Sequence, residues 1–145
     1  MKKIFLYISI ITAFYTINGC DYSLNAQISE NTIYVALHGP DQKRLGFAKG
    51  REFPKHIDLD TLYILQENDR KKGYGSKILK EFLSQAAAYD KPVFATASPL
   101  GHNFNFPVSL ALNGLIRFYQ KHGALVLHKD DVSASIVFLH HLTRA

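Results

Sequence analysis

Three consecutive basic residues and two closely spaced glycines form a short segment, Arg70-Lys71-Lys72-Gly73-Tyr74-Gly75-Ser76. An apolar run, residues 62–65, precedes it and predicts a strand, and apolar residues at helical spacing follow from Lys77. The first backbone N–H groups of a helix have no partner inside the helix, and the helix dipole favours negative charge there. Glycine lacks a Cβ, so a ligand can approach its backbone closely. The segment therefore predicts a binding site for a phosphate-bearing ligand.

The spacing of these glycines does not fit two common phosphate-binding motifs. The first glycine of a P-loop would fall on Asn68 if Gly73 were its second glycine, and no lysine directly follows Gly73 or Gly75. The dinucleotide fingerprint G-x-G-x-x-G requires a third glycine where this chain has Ile78. What remains is the pattern Arg-x-x-Gly-x-Gly between a predicted strand and a predicted helix.

This pattern resembles motif A of the GNAT acyltransferases, in which the turn binds the pyrophosphate of coenzyme A. A second stretch, residues 115–124, is similar to the family's helix that ends Phe-Tyr-x-x-x-Gly-Phe, although Ala124 replaces the usual aromatic residue. The resemblance covers residues 31–140 and implies a mixed α/β sheet with two main helices. It also implies transfer of an acetyl group from acetyl-CoA, as co-substrate, to an amine acceptor, which is a small molecule or a protein.

The resemblance assigns residues to the coenzyme. The pyrophosphate would rest on residues 70–76, and Ser76 could also cap the following helix. Backbone groups of one strand edge would bind the pantetheine arm, and these belong to Leu62, Tyr63 and Ile64. Asn113 would contact the pantetheine or cap the second helix.

The resemblance also indicates catalytic groups. Tyr119 matches the tyrosine that often donates a proton to the departing thiolate, although a core aromatic is the alternative for a tyrosine on an amphipathic helix. A carboxylate early on the strand before the turn would accept the amine proton, and Asp60 is the first candidate and Asp58 the next. A solvated pair of acids at a strand entrance is the alternative for these two.

Metal and cysteine chemistry find little support in the sequence. The seven histidines include the adjacent pair His140-His141, whose side chains point to opposite faces of a strand, and no HExxH or Cys-His spacing occurs. We therefore predict surface histidines and no metal. The net charge of +5 suits a polyanionic ligand, and because the basic residues do not form one long run we expect no nucleic-acid partner.

The N-terminus predicts an export signal. Residues 1–3 carry two lysines, residues 4–17 are mostly apolar, and the only cysteine follows in Asn18-Gly19-Cys20, which resembles a bacterial lipobox. The predicted organisation is a signal peptide at 1–19 and an acyltransferase domain at 20–145, anchored to the membrane of the bacterial envelope through lipidated Cys20. The alternative is that residues 4–17 form a buried strand or helix, that Cys20 is inert and that the protein is cytoplasmic.

Local patterns predict the element order ββ-β-α-β-α-ββ in one domain. After a polar lead-in at 21–26, strands are expected at 32–37, 44–49, 60–65, 92–97, 124–127 and 133–139, with helices at 76–89 and over about ten residues ending at 121 or 122. The family normally places two helices between its first two strands, but this region predicts strands, so the N-terminal helices are reduced or absent. These helices help to form the acceptor site, which leaves open an alternative function as a catalytically inactive GNAT-like envelope lipoprotein that acts as a binding module.

Overall fold

A computed structural model describes residues 8–17, 20–66, 72–99 and 108–139. The elements, in chain order, are β1 (Ile8–Ile17), β2 (Cys20–Ser29), β3 (Thr32–His38), β4 (Arg44–Glu52), β5 (Ile57–Ile64), α1 (Tyr74–Ala87), β6 (Val93–Ala97), α2 (Val108–Lys121), β7 (Ala124–Lys129) and β8 (Ala134–Phe138).

The eight strands of the described residues form a single sheet in the order β1-β2-β3-β4-β5-β6-β8-β7. Neighbouring strands are antiparallel except β5 and β6, which run parallel. The predicted fold class, a mixed α/β sheet with two main helices, is confirmed. The described N-terminal region forms the strands β1 and β2, in agreement with the prediction that the family's N-terminal helices are reduced or absent. None of the described helices is long and apolar enough to cross a membrane.

The N-terminal region differs from the sequence prediction. The predicted polar lead-in at 21–26 is wrong, because Cys20–Ser29 is a ten-residue strand that pairs with β1 along its whole length. Ile17 pairs with Cys20, so Asn18 and Gly19, which lie outside the described residues, connect the two strands. Asn-Gly between β-rich runs is a strong signal for a tight hairpin. The signal peptide and the lipidation of Cys20 stay predictions, and cleavage before Cys20 would remove β1 entirely.

Helix α1 packs closely on the middle of the sheet because β4 presents small residues to it. Gly46, Ala48 and Gly50 alternate along β4 and face the helix. A Cβ added at Gly50 would lie 2.4 Å from the Phe82 ring, and one at Gly46 would lie 2.9 Å from a methyl group of Ile78. Both of these α1 side chains are fully buried, so this contact forms the centre of the core.

Helix α2 lies on the same face of the sheet as α1. Phe118 contacts the start of α1 at Gly75, where an added Cβ would lie 3.5 Å from the ring. Tyr119 packs edge-on against Phe138 of β8, with ring centroids 6.1 Å apart. Phe138 pairs with Val93, whose strand presents its buried residues to the helices. The opposite face of the central strands is covered by no described helix.

Several element boundaries were wrong in the sequence prediction. Strand β5 begins at Ile57 instead of Asp60, and α2 begins at Val108 and has 14 residues, whereas about ten were expected. Asn113 is therefore five residues inside α2 and cannot cap its N-terminus, which corrects that alternative. Helix α1 begins at Tyr74, two residues before the predicted start, so the Gly-x-Gly pair belongs to its first turn.

We expect Gly50→Ala to destabilise the protein by about 1–3 kcal/mol, because the new Cβ would overlap both the Phe82 ring and the Asp58 carbonyl. The matched control is Gly114→Ala in α2, where nothing lies within 4 Å of the added carbon. There alanine should stabilise the helix by about 0.5–1 kcal/mol. Urea unfolding of both variants measures the difference, and equal midpoints would contradict the close approach of α1 to β4.

Candidate functional site

The start of α1 has no protein group that caps it among the described residues. Gly73 precedes the helix with φ 82° and ψ 4°, a left-handed conformation that favours glycine, and no side-chain hydrogen bond caps the helix. The first helical hydrogen bond joins Lys77 N–H to the Gly73 carbonyl at 3.2 Å. The first turn contains no acidic residue. The N–H groups of Gly75 and Ser76 precede this bond, and such groups at a helix start can bind an anion.

The predicted phosphate-binding residues differ in where they lie and in what surrounds their side chains. Arg70 and Lys71 lie outside the described residues. Tyr74 is buried, and its ring lies against Tyr22 with the two hydroxyls 3.2 Å apart, so only its backbone could contact a ligand. Nothing lies within 4 Å of a Cβ built at Gly73, which leaves open space at the helix start.

The side chain of Ser76 is hydrogen bonded to a residue that the sequence prediction did not place in the site. Its Oγ lies 3.0 Å from Nε2 of His122, which directly follows α2. The imidazole also contacts Phe118 edge-on, with ring centroids 5.1 Å apart. Partial burial lowers the pKa of His122, and the positive charges of Lys80 and Lys121 lower it further. The prediction of surface histidines missed this contact, although His122 lies within the second motif.

Strands β5 and β6 separate after three residue pairs. Ile57, Asp58 and Leu59 pair with residues 93–95, but β5 continues to Ile64 with no β6 partner in the described chain. Beyond this point β6 pairs only with β8. From residue 60 onward this edge of β5 therefore pairs with no described strand, and we call this separation the gap between β5 and β6. The predicted pantetheine-binding residues Leu62, Tyr63 and Ile64 lie on this edge.

Asp60 lies at a β-bulge where the two strands separate. The register between β4 and β5 moves from Lys49 opposite Thr61 to Gly50 opposite Leu59, so Asp60 has no partner on β4. Bulges commonly redirect a side chain beside a functional site. The carboxylate of Asp60 accepts two hydrogen bonds from Arg51, at 2.8 and 3.3 Å. Sequence reasoning found Asp60 but neither its bulge nor its partner.

Arg51 and Asp60 remain accessible to solvent, with side-chain exposures of 56% and 29%. Hydrogen bonding and charge from Asp60 raise the pKa of Arg51, so the pair is ionic. Asp58, the second candidate base, forms a separate pair with His56 at 3.3 Å. Each carboxylate oxygen has two lone pairs, so Asp60 retains acceptor capacity beyond the arginine.

Tyr119 lies in the core. Its side chain is 6% exposed and contacts the rings of Phe118 and Phe138. Burial raises the pKa of Tyr119 to about 12. These contacts are those of the core aromatic that the sequence offered as the alternative, and the role of proton donor stays a prediction.

Asn113 uses its amide oxygen within the protein, because Lys129 on β7 donates a hydrogen bond to it at 2.7 Å. This contact ties α2 to the edge strand of the sheet. The predicted contact between Asn113 and pantetheine stays a prediction.

The helix-free face of the sheet presents an aromatic row beside the gap. The ring of Phe47 on β4 lies between Tyr34 on β3 and Tyr63 on β5, with centroid distances of 5.8 and 6.3 Å. Arg44 lies over Phe47 at 5.1 Å and donates a hydrogen bond to the Tyr34 hydroxyl at 2.8 Å. Tyr63 is 39% exposed and belongs to the unpaired part of β5. A second ligand could therefore approach the gap from this face.

No protein-family model matches the sequence, and no curated protein sequence matches it. Solved structures do match. PaiA N-acetyltransferase from Thermoplasma acidophilum, in complex with coenzyme A, has a TM-score of 0.58 and 16% identity over 74% of this chain and 60% of its own. Nourseothricin acetyltransferase has a TM-score of 0.55 and 9% identity over 92% of this chain and 86% of its own. A Bacteroides thetaiotaomicron protein assigned to the GNAT acetyltransferase family has a TM-score of 0.53 and 17% identity over 75% of this chain and 62% of its own.

The chain has the GNAT fold.

At sequence identities this low, the likeness shows the fold alone. This chain spans about 60% of the length of the PaiA protein. This fold agrees with the mixed α/β sheet and two main helices that the resemblance of the two motifs had implied. Among the described residues, no side chain caps the start of α1, and β5 and β6 pair over only three residues.

Because Tyr119 is buried, the free energy of unfolding should change with pH in the alkaline range. An unfolded tyrosine ionises near pH 10, whereas folded Tyr119 stays neutral to about pH 12, so the unfolded state loses its proton first. We therefore expect the free energy of unfolding to fall as pH rises from about 10 to 12, by up to about 1.4 kcal/mol per pH unit from this group. Urea unfolding at pH 7 and pH 11 measures this change.

Tyr119→Phe is the matched variant for this measurement. It should lose less stability than the wild type between pH 7 and pH 11, because phenylalanine carries no titrating group. Equal losses in the two proteins would show that Tyr119 ionises as readily in the folded chain as in the unfolded one.

Proposed function

We propose that this protein is an N-acyltransferase that transfers an acetyl group from acetyl-CoA to an amine acceptor. The observation that carries the proposal is the juxtaposition of an uncapped, basic helix start with the gap between β5 and β6, in a chain with the GNAT fold. The first feature suits a pyrophosphate, and the second suits an extended arm that hydrogen bonds like an added strand.

The coenzyme would bind along one continuous path. Its pyrophosphate would accept hydrogen bonds from the N–H groups at the start of α1, with Lys72 at the rim and Arg70 and Lys71 as further predicted partners. Its pantetheine arm would run along β5 at Leu62, Tyr63 and Ile64, toward the point where β5 and β6 meet. The thioester would then lie near Asp60, where the last pair of the parallel strands is Leu59 with Ala95.

The acceptor amine would approach from the helix-free face, beside the row that contains Phe47 and Tyr63. In the reaction the amine nitrogen forms a bond to the thioester carbonyl carbon, the carbon–sulfur bond breaks, and the thiolate leaves. The amine loses one proton and the thiolate gains one. Asp60 would take the amine proton, directly or through a water molecule, because it projects at the bulge and keeps acceptor capacity while bound to Arg51.

The proton for the thiolate would come from Tyr119 or from water. A tyrosine with a pKa of about 12 is fully protonated at neutral pH, so it is in the form that a proton donor needs. Its burial between two aromatic rings limits the contact to its small exposed surface. The alternative function, a non-catalytic binding module, would use the same coenzyme path without turnover.

The start of α1 can be tested with two variants of one residue. Gly73→Asp and Gly73→Asn share a shape and share the cost of a left-handed backbone, which Asn and Asp tolerate best among residues with a side chain. Only the aspartate adds a negative charge beside the proposed pyrophosphate. We expect its Kd for coenzyme A, measured by calorimetry, to be at least about tenfold weaker than that of the asparagine variant, which corresponds to about 1.4 kcal/mol. Equal affinities would place the pyrophosphate elsewhere.

The role of Asp60 can be tested against a neighbour on the same strand. Asp60→Asn should lower kcat/KM by about a hundredfold or more if the carboxylate takes the amine proton. Asp58→Asn is the control, because Asp58 also forms an ion pair and has a similar side-chain exposure of 35%. Thiol release from acetyl-CoA, with a panel of polyamine, aminoglycoside and peptide amines, gives the rates. A rate for Asp60→Asn equal to the rates of both the wild type and Asp58→Asn would remove Asp60 from the chemistry, and binding without turnover of any amine would favour the binding module.

A further inference from the structure

The hydrogen bond between His122 and Ser76 couples the proposed coenzyme site to a titrating group. Ser76 is in the first turn of α1, and its backbone N–H is among those available to a pyrophosphate. Its hydroxyl lies 3.0 Å from Nε2 of His122. The protonation state of the imidazole therefore determines whether the hydroxyl can donate a hydrogen bond to a third group.

The hydrogen bond between His122 and Ser76 can run in either of two directions. When Nε2 is unprotonated it can only accept a hydrogen bond, so the Ser76 hydroxyl donates its single hydrogen to the imidazole. When Nε2 carries a proton, the imidazole donates to Oγ, and the Ser76 hydrogen is free to be donated elsewhere. A neutral imidazole can hold its hydrogen on either nitrogen, whereas the imidazolium has hydrogens on both and adds a positive charge. An anion at the start of α1 is therefore bound best by the protonated form.

We propose that His122 is a positioning residue for coenzyme A, and that binding of the pyrophosphate takes up a proton at His122, which turns Ser76 into a hydrogen-bond donor to the phosphate. The inference rests on the proposed function, because it concerns the same phosphate site.

The surroundings of His122 favour the neutral form until an anion arrives. From α1 it faces Ser76 and the positive charge of Lys80, and from α2 it faces Phe118 and the positive charge of Lys121. These charges and partial burial lower the pKa of the imidazole in the free protein. A bound pyrophosphate would offset the two lysines and raise the pKa again, because a nearby opposite charge favours the charged form.

The proposal predicts the direction in which the affinity for coenzyme A changes with pH. Affinity for coenzyme A should rise as pH falls through the range in which His122 titrates, and a pKa increase of one unit on binding corresponds to about a tenfold gain. The phosphomonoester of coenzyme A itself titrates near pH 6, so the comparison must be made between variants that bind the same ligand.

The test is calorimetric titration of coenzyme A into the full chain near pH 6.5, in two buffers with different ionisation enthalpies, which yields the number of protons taken up. His122→Gln keeps a side-chain N–H donor for Ser76 but cannot titrate, so it should still bind and should lose the part of the uptake that belongs to His122. Ser76→Ala should bind more weakly and should lose part of the uptake. His128→Gln, on exposed β7, is the matched control and should behave as the wild type does.

The outcomes separate the two proposals. Binding with less proton uptake in His122→Gln than in the wild type and His128→Gln supports the inference. Binding with equal uptake in all three proteins overturns the inference and leaves the coenzyme site intact. Absence of binding by folded wild-type protein overturns the proposed function, and the inference with it. A thermal melt of each variant confirms that the fold is retained.

Discussion

The close contact between α1 and β4 fixes the geometry on which the rest of the structure depends. Gly46 and Gly50 leave no room for a side chain between the sheet and the helix, so Ile78 and Phe82 reach the backbone of the central strands. With the helix axis fixed there, the first turn of α1 lies just beyond the end of β5 in the chain. The same contact therefore helps to place both the start of α1 and, through β4, the edge of β5.

The second constraint is the way in which the sheet is completed on its N-terminal side. Two long strands, β1 and β2, extend the sheet beyond β3, where the resemblance to the GNAT acyltransferases implies two helices. Leu24 and Ala26 of β2 are buried on the helix side and enlarge the core. Both described helices lie on that side, and the aromatic row of Tyr34, Phe47 and Tyr63 lies on the opposite face, which no described helix covers.

Sequence patterns predicted the central part of this structure well. The six strands from β3 to β8 and both helices were expected, because their apolar periodicity and their glycine and proline boundaries are local signals. The phosphate turn was predicted from the types and spacing of its residues, and its role stays a prediction. The N-terminal hairpin was missed because the same apolar residues fit an export signal, and that competing pattern outweighed the Asn18-Gly19 turn signal. Arg51 and His122 were missed because their partners, Asp60 and Ser76, lie on other elements, and contacts between elements leave no local pattern.

The three-residue pairing between β5 and β6 divides the protein into two halves. Strands β1 to β5 with α1 form one antiparallel block, and strands β6 to β8 with α2 form another. Besides that short parallel ladder, several side-chain contacts join the two halves, and they include Phe118 with Gly75, His122 with Ser76 and Phe94 with His56. A molecule that bound in the gap in the manner of an added strand would hydrogen bond to the edge of β5. A ligand bound in this gap, as proposed, would contact both halves, so its binding would also affect how the two halves are held together.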